Sequence, residues 1–348
     1  MNSLIVREIL RFAVSLSAMR VTAAVLLCFV FSAGARARVT SEVRAIVVEP
    51  LTEPVSHAEG PHWQAPYLYY LDVFSGSPLL RLDTTSGRVE RWTVPPGNAP
   101  VALAVPIAGD EGRLLLSRGR ELVEFDLLIS EVVATYGVAD EDKPGNRFND
   151  GKADPAGRLW AGTMGPDNLR NKVVPDQGSL FLLDANGLTA KVSEVDISNG
   201  IAWNSGHNLM YYIDTPTGKV DVFDYDLATA SITNRRTVID FVAQNVTCEP
   251  DGMTIDADDF LWVACWNGWQ VVRVDPALGQ VVSQVSLPVQ YVTSVSWGGD
   301  NFDDLYVTSS KGGLTPEEIL LQPYAGSVFK VSGLGVNGVP SHLITRPF

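Results

Sequence analysis

Residues 148–160 read FNDGKADPAGRLW, and this stretch decides the fold because it recurs along the chain. Taken alone, the pair Asp150 and Asp154 is typical of a calcium-binding loop. The segments NGIAWNSGHNLM (199–210) and DGMTIDADDFLW (251–262), however, align with it position by position. The stretch is therefore one copy of a repeat, and the question becomes what each position of the repeat does.

Short apolar or alternating runs, separated by Gly, Asp, Asn and Pro, fill the chain downstream of residue 40. Such runs predict β-strands. Six of them recur at a spacing of roughly 45 to 52 residues, namely YLYYLDV (67–73), RLLLSR (113–118), RLWAGT (158–163), LMYYIDT (209–215), FLWVACW (260–266) and DLYVTSS (304–310). A second strand follows most of them. Six units of several strands each predict an all-β, six-bladed β-propeller. A tandem sandwich protein is the main alternative, but it would not explain one unit size recurring six times.

One set of repeat positions predicts turns inside the blades. Asp154, Asn204 and Asp256 coincide between consecutive strands, where Asp and Asn side chains bond local backbone and tolerate unusual φ. We therefore interpret these residues as structural. Tryptophans recur at matched or neighbouring positions and are predicted to pack between blades: Trp160, Trp203, Trp262 and Trp297.

A second set of positions predicts a metal centre. Glu59, Asn149, Asn199 and Asp251 begin the innermost strand of successive units, and Ser294 takes this place in the last copy. The innermost strands of a propeller ring its central channel, so these side chains are expected to point toward one axis. Two carboxylates and two carboxamides without an aligned positive residue suit a divalent cation. Asp150, one residue beyond a channel position, is left open between bracing the loop and reaching the ligand.

Other site classes lack support in the sequence. A formal charge of −14 argues against a nucleic-acid partner, which needs a basic surface. The EF-hand pattern, Gly-rich phosphate loops and the G-x-S-x-G elbow are absent from the sequence. The four histidines lack the spacing of a zinc site: His57, His62, His207 and His342. His62, near Glu59, is predicted to pack or to support the site rather than to bind metal.

Residues 1–37 have the layout of a secretory signal peptide. Basic residues precede the apolar run VTAAVLLCFVFS, and AGARA (33–37) fits a small-x-small cleavage site. Either Met1 or Met19 is the start, and an uncleaved signal anchor is the alternative to cleavage. We expect a secreted protein in which residues 38–348 form one propeller domain, with no membrane segment after cleavage.

Two further features fit an oxidising compartment. Asn245 begins the glycosylation sequon NVT. The chain without its signal holds two cysteines, Cys248 and Cys265, which leaves a disulfide and two buried thiols as open alternatives. Cys248 lies shortly before Asp251, and Cys265 is expected to end the strand that Asp251 begins. A bridge would then brace a metal-ligand loop.

Long, ordered motifs across residues 45–335 resemble the regucalcin/gluconolactonase family, which includes the luciferin-regenerating enzymes. The motifs are EGPHW, NRFNDGKADPAGRLWAGTM, SNGIAW, PDGMTIDADDFLWVACWNG and TSVSWGGDNFDDLYVTSS. The resemblance implies a six-bladed propeller with one divalent metal in the central channel. It also implies that Glu59, Asn199 and Asp251 are the metal ligands, which are three of the four positions singled out by the repeat.

The same resemblance implies a substrate site. Arg147 and Asn149 of NRFND stand where the family contacts its substrate, and Asp167 follows AGTM where regucalcin has a longer Glu. Pro166 precedes this shorter acid, so the sequence departs from the family pattern at a residue on which the geometry of sugar binding depends.

The implied activity is hydrolysis of a sugar lactone such as gluconolactone. Ca²⁺, Zn²⁺ or Mn²⁺ would polarise the carbonyl, water would attack, and Asp251 would act as general base and carry the proton. Two alternatives stay open: a calcium-binding protein without significant catalysis, and a hydrolase of luciferin-regenerating type with a different substrate. The intact pair Arg147 and Asn149 favours catalysis, because ion binding does not require it.

Overall fold

The structure of the protein is a computed structural model that describes residues 45–76, 78–168 and 172–346, with all side chains except those of residues 167, 168 and 172. The predicted signal peptide, residues 1–37, and both candidate starts lie outside the described residues. The described residues fall within one compact unit.

Six four-stranded antiparallel sheets, the blades, make up most of the described chain. Strand β1 (Val47–Pro50) precedes them. Blade 1 contains β2 (Ala58–Gln64), β3 (Tyr67–Asp72), β4 (Leu79–Asp83) and β5 (Val89–Trp92). Blade 2 contains β6 (Ala104–Ile107), β7 (Asp110–Arg118), β8 (Glu121–Asp126) and β9 (Glu131–Val138). Blade 3 contains β10 (Arg147–Ala153), β11 (Leu159–Met164), β14 (Gly178–Asp184) and β15 (Gly187–Val195), with the ribbon β12 (Asp167–Asn168) and β13 (Lys172–Val173) inserted.

The second half of the chain repeats this order. Blade 4 contains β16 (Ser198–Trp203), β17 (Leu209–Asp214), β18 (Lys219–Asp226) and β19 (Ser231–Asp240). Blade 5 contains β20 (Glu249–Ile255), β21 (Leu261–Trp266), β22 (Gln270–Asp275) and β23 (Gln280–Ser286). Blade 6 contains β24 (Tyr291–Gly298), β25 (Asp304–Ser310) and β26 (Phe329–Ser332). A 3₁₀ turn, Thr215–Thr217, follows β17, and helix α1 (Pro316–Leu321) follows β25.

The ring closes by joining the two ends of the described chain. Strand β1 pairs antiparallel with β26, with Val47 opposite Ser332 and Pro50 opposite Phe329, and so completes blade 6. This pairing gives blade 6 its fourth strand and covers the edge of β26. The predicted six-bladed β-propeller is confirmed.

Burial explains why these segments form strands at these places. Strands β11 and β21 are buried at every residue and read as continuous apolar runs, because other blades cover both of their faces. The outer strand β9 alternates between more and less exposed residues. The predicted packing of tryptophans between blades is also confirmed, since Trp262 of blade 5 meets Trp297 of blade 6 edge-on, with ring centroids 5.3 Å apart.

The first strands of the blades, β2, β6, β10, β16, β20 and β24, contact one another around the central channel. All six run in the same direction, so the channel has a ligand end, where these strands begin, and a far end, where they finish. The C-terminal segment crosses the far end: Gly338 bridges to Asp256 of blade 5, Ile344 to Ile107 of blade 2, and Thr345 donates to Gly157 O of blade 3. Access to the channel is therefore from the ligand end. Among the described residues, the only helices are too short to cross a lipid bilayer.

Candidate metal centre and active site

A β-bulge marks every predicted channel position. The register of the first strand shifts at Glu59 in β2, around Asn149 in β10, around Asn199 in β16 and around Asp251 in β20. A bulge leaves one residue out of the ladder and re-aims its side chain. Strand β24 has the same irregularity around Ser294. The local backbone therefore turns these residues toward the channel at the ligand end.

Two glycines allow the first strands to approach closely beside these bulges. A Cβ atom on Gly200 would lie 2.6 Å from Met253 N, and one on Gly252 would lie 2.0 Å from Ser294 Oγ. Neither distance can accommodate a side chain. The recurring dipeptides Asn-Gly and Asp-Gly thus combine a polar channel residue with the glycine that close packing around the axis requires.

The amide of Asn199 has a fixed orientation. Its Nδ2 donates to Thr215 Oγ1 at 3.0 Å, and Thr215 Oγ1 donates in turn to Pro250 O at 2.8 Å. The oxygen, Asn199 Oδ1, is buried and has no hydrogen-bond partner. Buried polar atoms normally have a partner, so an orphaned amide oxygen in a channel indicates a ligand that accepts its lone pairs.

Acidic side chains crowd the same place. Burial, then the carboxylates of Glu59 and Asp150, raise the pKa of Asp251 well above its ordinary value. Burial, then Glu59, raise the pKa of Asp150 to about 6, while the nearby Lys152 opposes this rise. The charge of Glu59 thus opposes ionisation of both Asp150 and Asp251, and a bound cation would offset this repulsion.

The donor set fits a divalent cation. Glu59 and Asp251 offer carboxylate oxygens, and Asn199 offers the unpartnered amide oxygen, all three on buried residues. Oxygen donors of this kind suit Ca²⁺ or Mn²⁺ and are accepted by Zn²⁺. Within the described part of the chain, no cluster of three or more His, Cys, Asp and Glu side chains has the arrangement of a metal site. The candidate centre differs from such clusters because an asparagine is one of its three donors.

Lys152 is a channel residue that the sequence did not reveal. Its Nζ donates across the channel, from blade 3 to Met253 O of blade 5, at 2.6 Å. Burial lowers the pKa of Lys152 to about 8, against the opposing effect of Asp150. A cavity of about 20 Å³, enough for about one water, is lined by His62, Asp150, Lys152 and Ser341 among others. The sequence did hold one signal for this residue. Lys152 occupies a first-strand position at which other copies of the repeat carry Ala202 or Thr254.

His62 is buried, and its Nε2 has no hydrogen-bond partner. Burial, followed by the positive charge of Lys152, lowers the pKa of His62 to about 3, so the imidazole is neutral. This position inside the channel wall agrees with the packing role expected for His62.

The predicted substrate residues lie together on β10. Arg147 Nη1 donates to Asn149 Oδ1 at 2.9 Å, and Asn149 Nδ2 donates to Ser198 O of blade 4 at 3.0 Å. The two side chains therefore form one hydrogen-bonded unit, which is anchored to the backbone of blade 4 at Ser198. Asp167 begins β12, which pairs with β13, but the side chain of Asp167 lies outside the described part of the structure.

The turn acids lie away from the channel and fix the turns of their blades, and Asp154 also links blade 3 to blade 4. Asp154 is fully buried, and its carboxylate accepts from Arg158 Nε at 2.7 Å and from the Tyr225 hydroxyl of blade 4 at 2.6 Å. Asp256 accepts in the same way from Arg273 Nε at 2.7 Å. Both acids also accept from backbone N–H groups of their own turns. The interpretation of these residues as structural is confirmed.

A disulfide joins Cys248 and Cys265. Cys248 lies before β20, whereas Cys265 lies on β21, the strand next to the one that carries Asp251. The expectation that Cys265 ends the same strand as Asp251 was wrong, because the chain turns between β20 and β21. The bond therefore ties the segment that leads into a candidate ligand strand to its neighbour in blade 5.

Known proteins match most of this chain. The sequence profile of the SMP-30/Gluconolactonase/LRE-like region matches residues 57–311. Regucalcin from Macaca fascicularis is 40% identical over 292 residues, which cover 83% of this chain and 95% of that protein. The chain belongs to the SMP-30/gluconolactonase/LRE-like family. This confirms the family resemblance of the sequence motifs.

Solved structures of this family share the fold. A luciferin-regenerating enzyme superimposes with a TM-score of 0.80 at 32% identity, over 87% of this chain and all of that one. A calcium-binding protein, regucalcin, from Agrobacterium tumefaciens superimposes with a TM-score of 0.78 at 24% identity, over 87% of this chain and 98% of that one. The second likeness shows the fold alone. In this family member, the bulged channel residues and the Arg147–Asn149 unit form the candidate active site.

Proposed function

We propose that this family member is a secreted, divalent-metal-dependent hydrolase of sugar lactones. The observation that carries the proposal is the buried, unpartnered Oδ1 of Asn199 beside the acids Glu59 and Asp251, at the ligand end of a channel that opens on one side. The Arg147–Asn149 unit stands on β10 at the same end. Family membership supports the lactonase class, because gluconolactonases give the family part of its name.

The ion would be held by three side chains of this chain: Glu59, Asn199 and Asp251. A divalent cation supplies a Lewis acid that polarises the lactone carbonyl and stabilises the charge that develops on its oxygen. Ca²⁺, Zn²⁺ and Mn²⁺ are all candidates, since each accepts oxygen donors.

The protein's own groups bind the substrate and move the proton. A guanidinium has five N–H donors, and the Nη1 of Arg147 donates to Asn149 Oδ1 and Phe148 O. These hydrogen bonds orient the guanidinium toward substrate hydroxyls. Asp251 accepts a proton from water as the water oxygen bonds to the carbonyl carbon. The bond from that carbon to the ring oxygen breaks, and Asp251 returns the proton to the ring oxygen, which yields a hydroxy acid.

The Arg147–Asn149 unit favours catalysis over ion storage. A storage site needs the oxygen donors alone, whereas a guanidinium beside a cation opposes its binding electrostatically. A positive group at this place is useful when it binds a polar substrate next to the ion. The proposal therefore makes the calcium-binding reading without catalysis the second choice.

Secretion is part of the proposal and is supported indirectly. The disulfide between Cys248 and Cys265 is of a kind that persists in oxidising compartments. Asn245 of the sequon is exposed, on the loop between β19 and β20, where a glycan would not disturb packing. Both features agree with the signal layout of residues 1–37.

The assay that tests the function uses the purified protein without residues 1–37. Hydrolysis of D-glucono-δ-lactone is followed by acid release with Ca²⁺, Zn²⁺ or Mn²⁺, after chelation as a blank. We expect activity that needs an added ion and falls by at least about a hundredfold in Asp251→Ala. Asp154→Asn is the matched control, because it changes an acid that lies outside the channel. No activity above that of Asp251→Ala with any of the three ions would reject the proposal.

A further inference from the structure

A continuous set of aromatic side chains borders the ligand end of the channel. We call it the aromatic rim: Phe74, His57, Trp266 and Tyr291. The ring centroids of Phe74 and His57 are 5.5 Å apart, those of His57 and Trp266 are 5.8 Å apart, and Trp266 stacks on Tyr291 at 4.3 Å with an interplanar angle of 18°. These residues belong to blades 1, 5 and 6 and form a chain of ring contacts around the entrance.

The rim adjoins both halves of the candidate active site. His57 Nε2 lies 3.6 Å from Glu59 Oε2, a candidate ligand atom. On the other side, the Arg147 guanidinium lies over the Phe74 ring, 5.4 Å from its centroid. Arg147 is on blade 3 and Phe74 on blade 1, so this contact passes blade 2 and reaches across the entrance. A substrate held by the ion and Arg147 must therefore lie against the rim.

Phe74 has a free surface that the core does not use. It lies on the loop after β3 and is 55% exposed. An exposed aromatic ring beside a cationic group, at the entrance of a polar channel, can stack on a planar apolar ligand. A compact polyol needs only the ion and the hydrogen bonds of the Arg147–Asn149 unit, and it does not need an aromatic surface.

We propose that the aromatic rim selects lactones that carry an aromatic ring, with Phe74 as the residue that stacks on that ring. This inference rests on the proposed lactone hydrolysis, and it extends the substrates from sugar lactones to lactones that carry an aromatic ring. The ester group lies at the ion and the Arg147–Asn149 unit, and the aromatic ring extends toward the entrance, against Phe74 and His57.

The test compares two substrates, dihydrocoumarin and D-glucono-δ-lactone, corrected for spontaneous hydrolysis. Phe74→Ala lowers the ratio of kcat/KM for dihydrocoumarin to kcat/KM for the sugar lactone by about threefold to tenfold, the range expected for one aromatic contact. Phe74→Tyr restores the ratio. Leu128→Ala, which truncates a 90% exposed side chain in the turn after β8 at the far end, leaves it unchanged.

A binding measurement separates this inference from the lactonase proposal. The probe is the lactam analogue of dihydrocoumarin, in which NH replaces the ring oxygen, titrated by calorimetry. We expect its Kd to rise about threefold to tenfold in Phe74→Ala. Binding that depends on Phe74 in a protein that hydrolyses neither lactone would support the rim and reject lactone hydrolysis. If both lactones are hydrolysed but Phe74→Ala changes neither the kcat/KM ratio nor the Kd of the lactam, the role of the aromatic rim is rejected and lactone hydrolysis stands.

Discussion

Thr215 orients the side-chain amide of Asn199, which is a candidate metal ligand. Thr215 accepts from Asn199 Nδ2 and donates to Pro250 O, which leaves Asn199 Oδ1 facing the centre. Thr215→Val keeps the shape but removes both hydrogen bonds. Residues that orient metal ligands affect affinity by about 10- to 100-fold. We therefore expect the Kd of Ca²⁺ or Mn²⁺, measured by calorimetry, to rise by about tenfold in Thr215→Val.

A neighbouring threonine provides the control for this substitution. The hydroxyl of Thr217 donates to Asp214 O, whereas the amide of Asn199 donates to Thr215. Thr217→Val should leave the ion affinity unchanged. Equal affinities in the two variants would mean that the amide of Asn199 does not bind the ion.

The raised pKa of Asp150 predicts how the stability of the protein changes with pH when no ion is bound. Its pKa rises from 3.8 to about 6 on folding, so the folded state holds more protons between about pH 4 and pH 6. Stability of the chelated protein should therefore fall as pH rises through this window, by at most about 3 kcal/mol for a shift of this size. Asp251, with a pKa raised in the same direction, adds to the slope, whereas the lowered pKa of Lys152 acts above pH 8.

Thermal unfolding of the chelated protein at several pH values measures this effect. Asp150→Asn should reduce the loss of Tm between pH 4 and pH 6. Added Ca²⁺ should raise Tm more at pH 7 than at pH 5, because a bound cation requires ionised carboxylates. A Tm gain from Ca²⁺ that is larger at pH 5 would contradict the assignment of these acids to the ion site.

Single residues were predicted to different extents. The repeat placed Glu59, Asn199 and Asp251 at equivalent positions because a fixed register gives equivalent side chains. Lys152 escaped this reasoning, since a lysine inside a channel resembles a solvated lysine in sequence. The rim escaped it too, because contacts such as Phe74 with Arg147 join residues from blades that are not adjacent.

At the scale of the element, the disulfide fastens the strand that carries Asp251. Cys248 and Cys265 are 17 residues apart, and a loop of this size is stabilised by about 3 kcal/mol when closed. The double variant Cys248→Ser/Cys265→Ser should lose about 2–4 kcal/mol of unfolding free energy in urea. The unreduced protein without residues 1–37, which holds these two cysteines alone, should gain no mass when it is denatured and treated with iodoacetamide. Alkylation at two thiols would show that the bond is absent.

The strands themselves were predictable, whereas their bulges were not. Apolar runs and turn residues located most strands, because both are local signals. A bulge depends on how two strands pair, and the register of β20 with β21 shifts between Pro250 and Met253, where Gly252 packs closely against Ser294 of β24. The wrong placement of Cys265 has a different cause, because the predicted turn at Asp256 already separates the strand of Asp251 from the strand of Cys265.

At the scale of the whole molecule, the C-terminal segment seals the far end of the channel. Ile344 is fully buried and pairs with Ile107 of blade 2. Ile344→Ala should lower the unfolding free energy by about 2–4 kcal/mol, as expected for a buried aliphatic side chain. Leu128→Ala, an exposed truncation in the same blade, should change it by less than about 0.5 kcal/mol. Similar values for the two variants in urea denaturation would show that the segment does not pack there.

The number of blades followed from the repeat, but the closure of the ring did not. The segment that forms β1 precedes the first repeat and carries no motif, so its pairing with β26 depends on the three-dimensional proximity of the two ends. The crossing of the far end by the last residues is a similar case. Strand β1 and the C-terminal segment both find their partners only when the ring of blades is assembled.

The central claim is that bulged strands of blades 1, 4 and 5 hold one divalent cation. Anomalous diffraction from crystals grown with Mn²⁺ tests it most directly, since the signal locates the ion without reference to activity. We predict one strong peak in the channel, within coordination distance of Glu59, Asn199 and Asp251. A peak beside Asp154 or Asp256 instead, or no peak in the channel, would contradict the account.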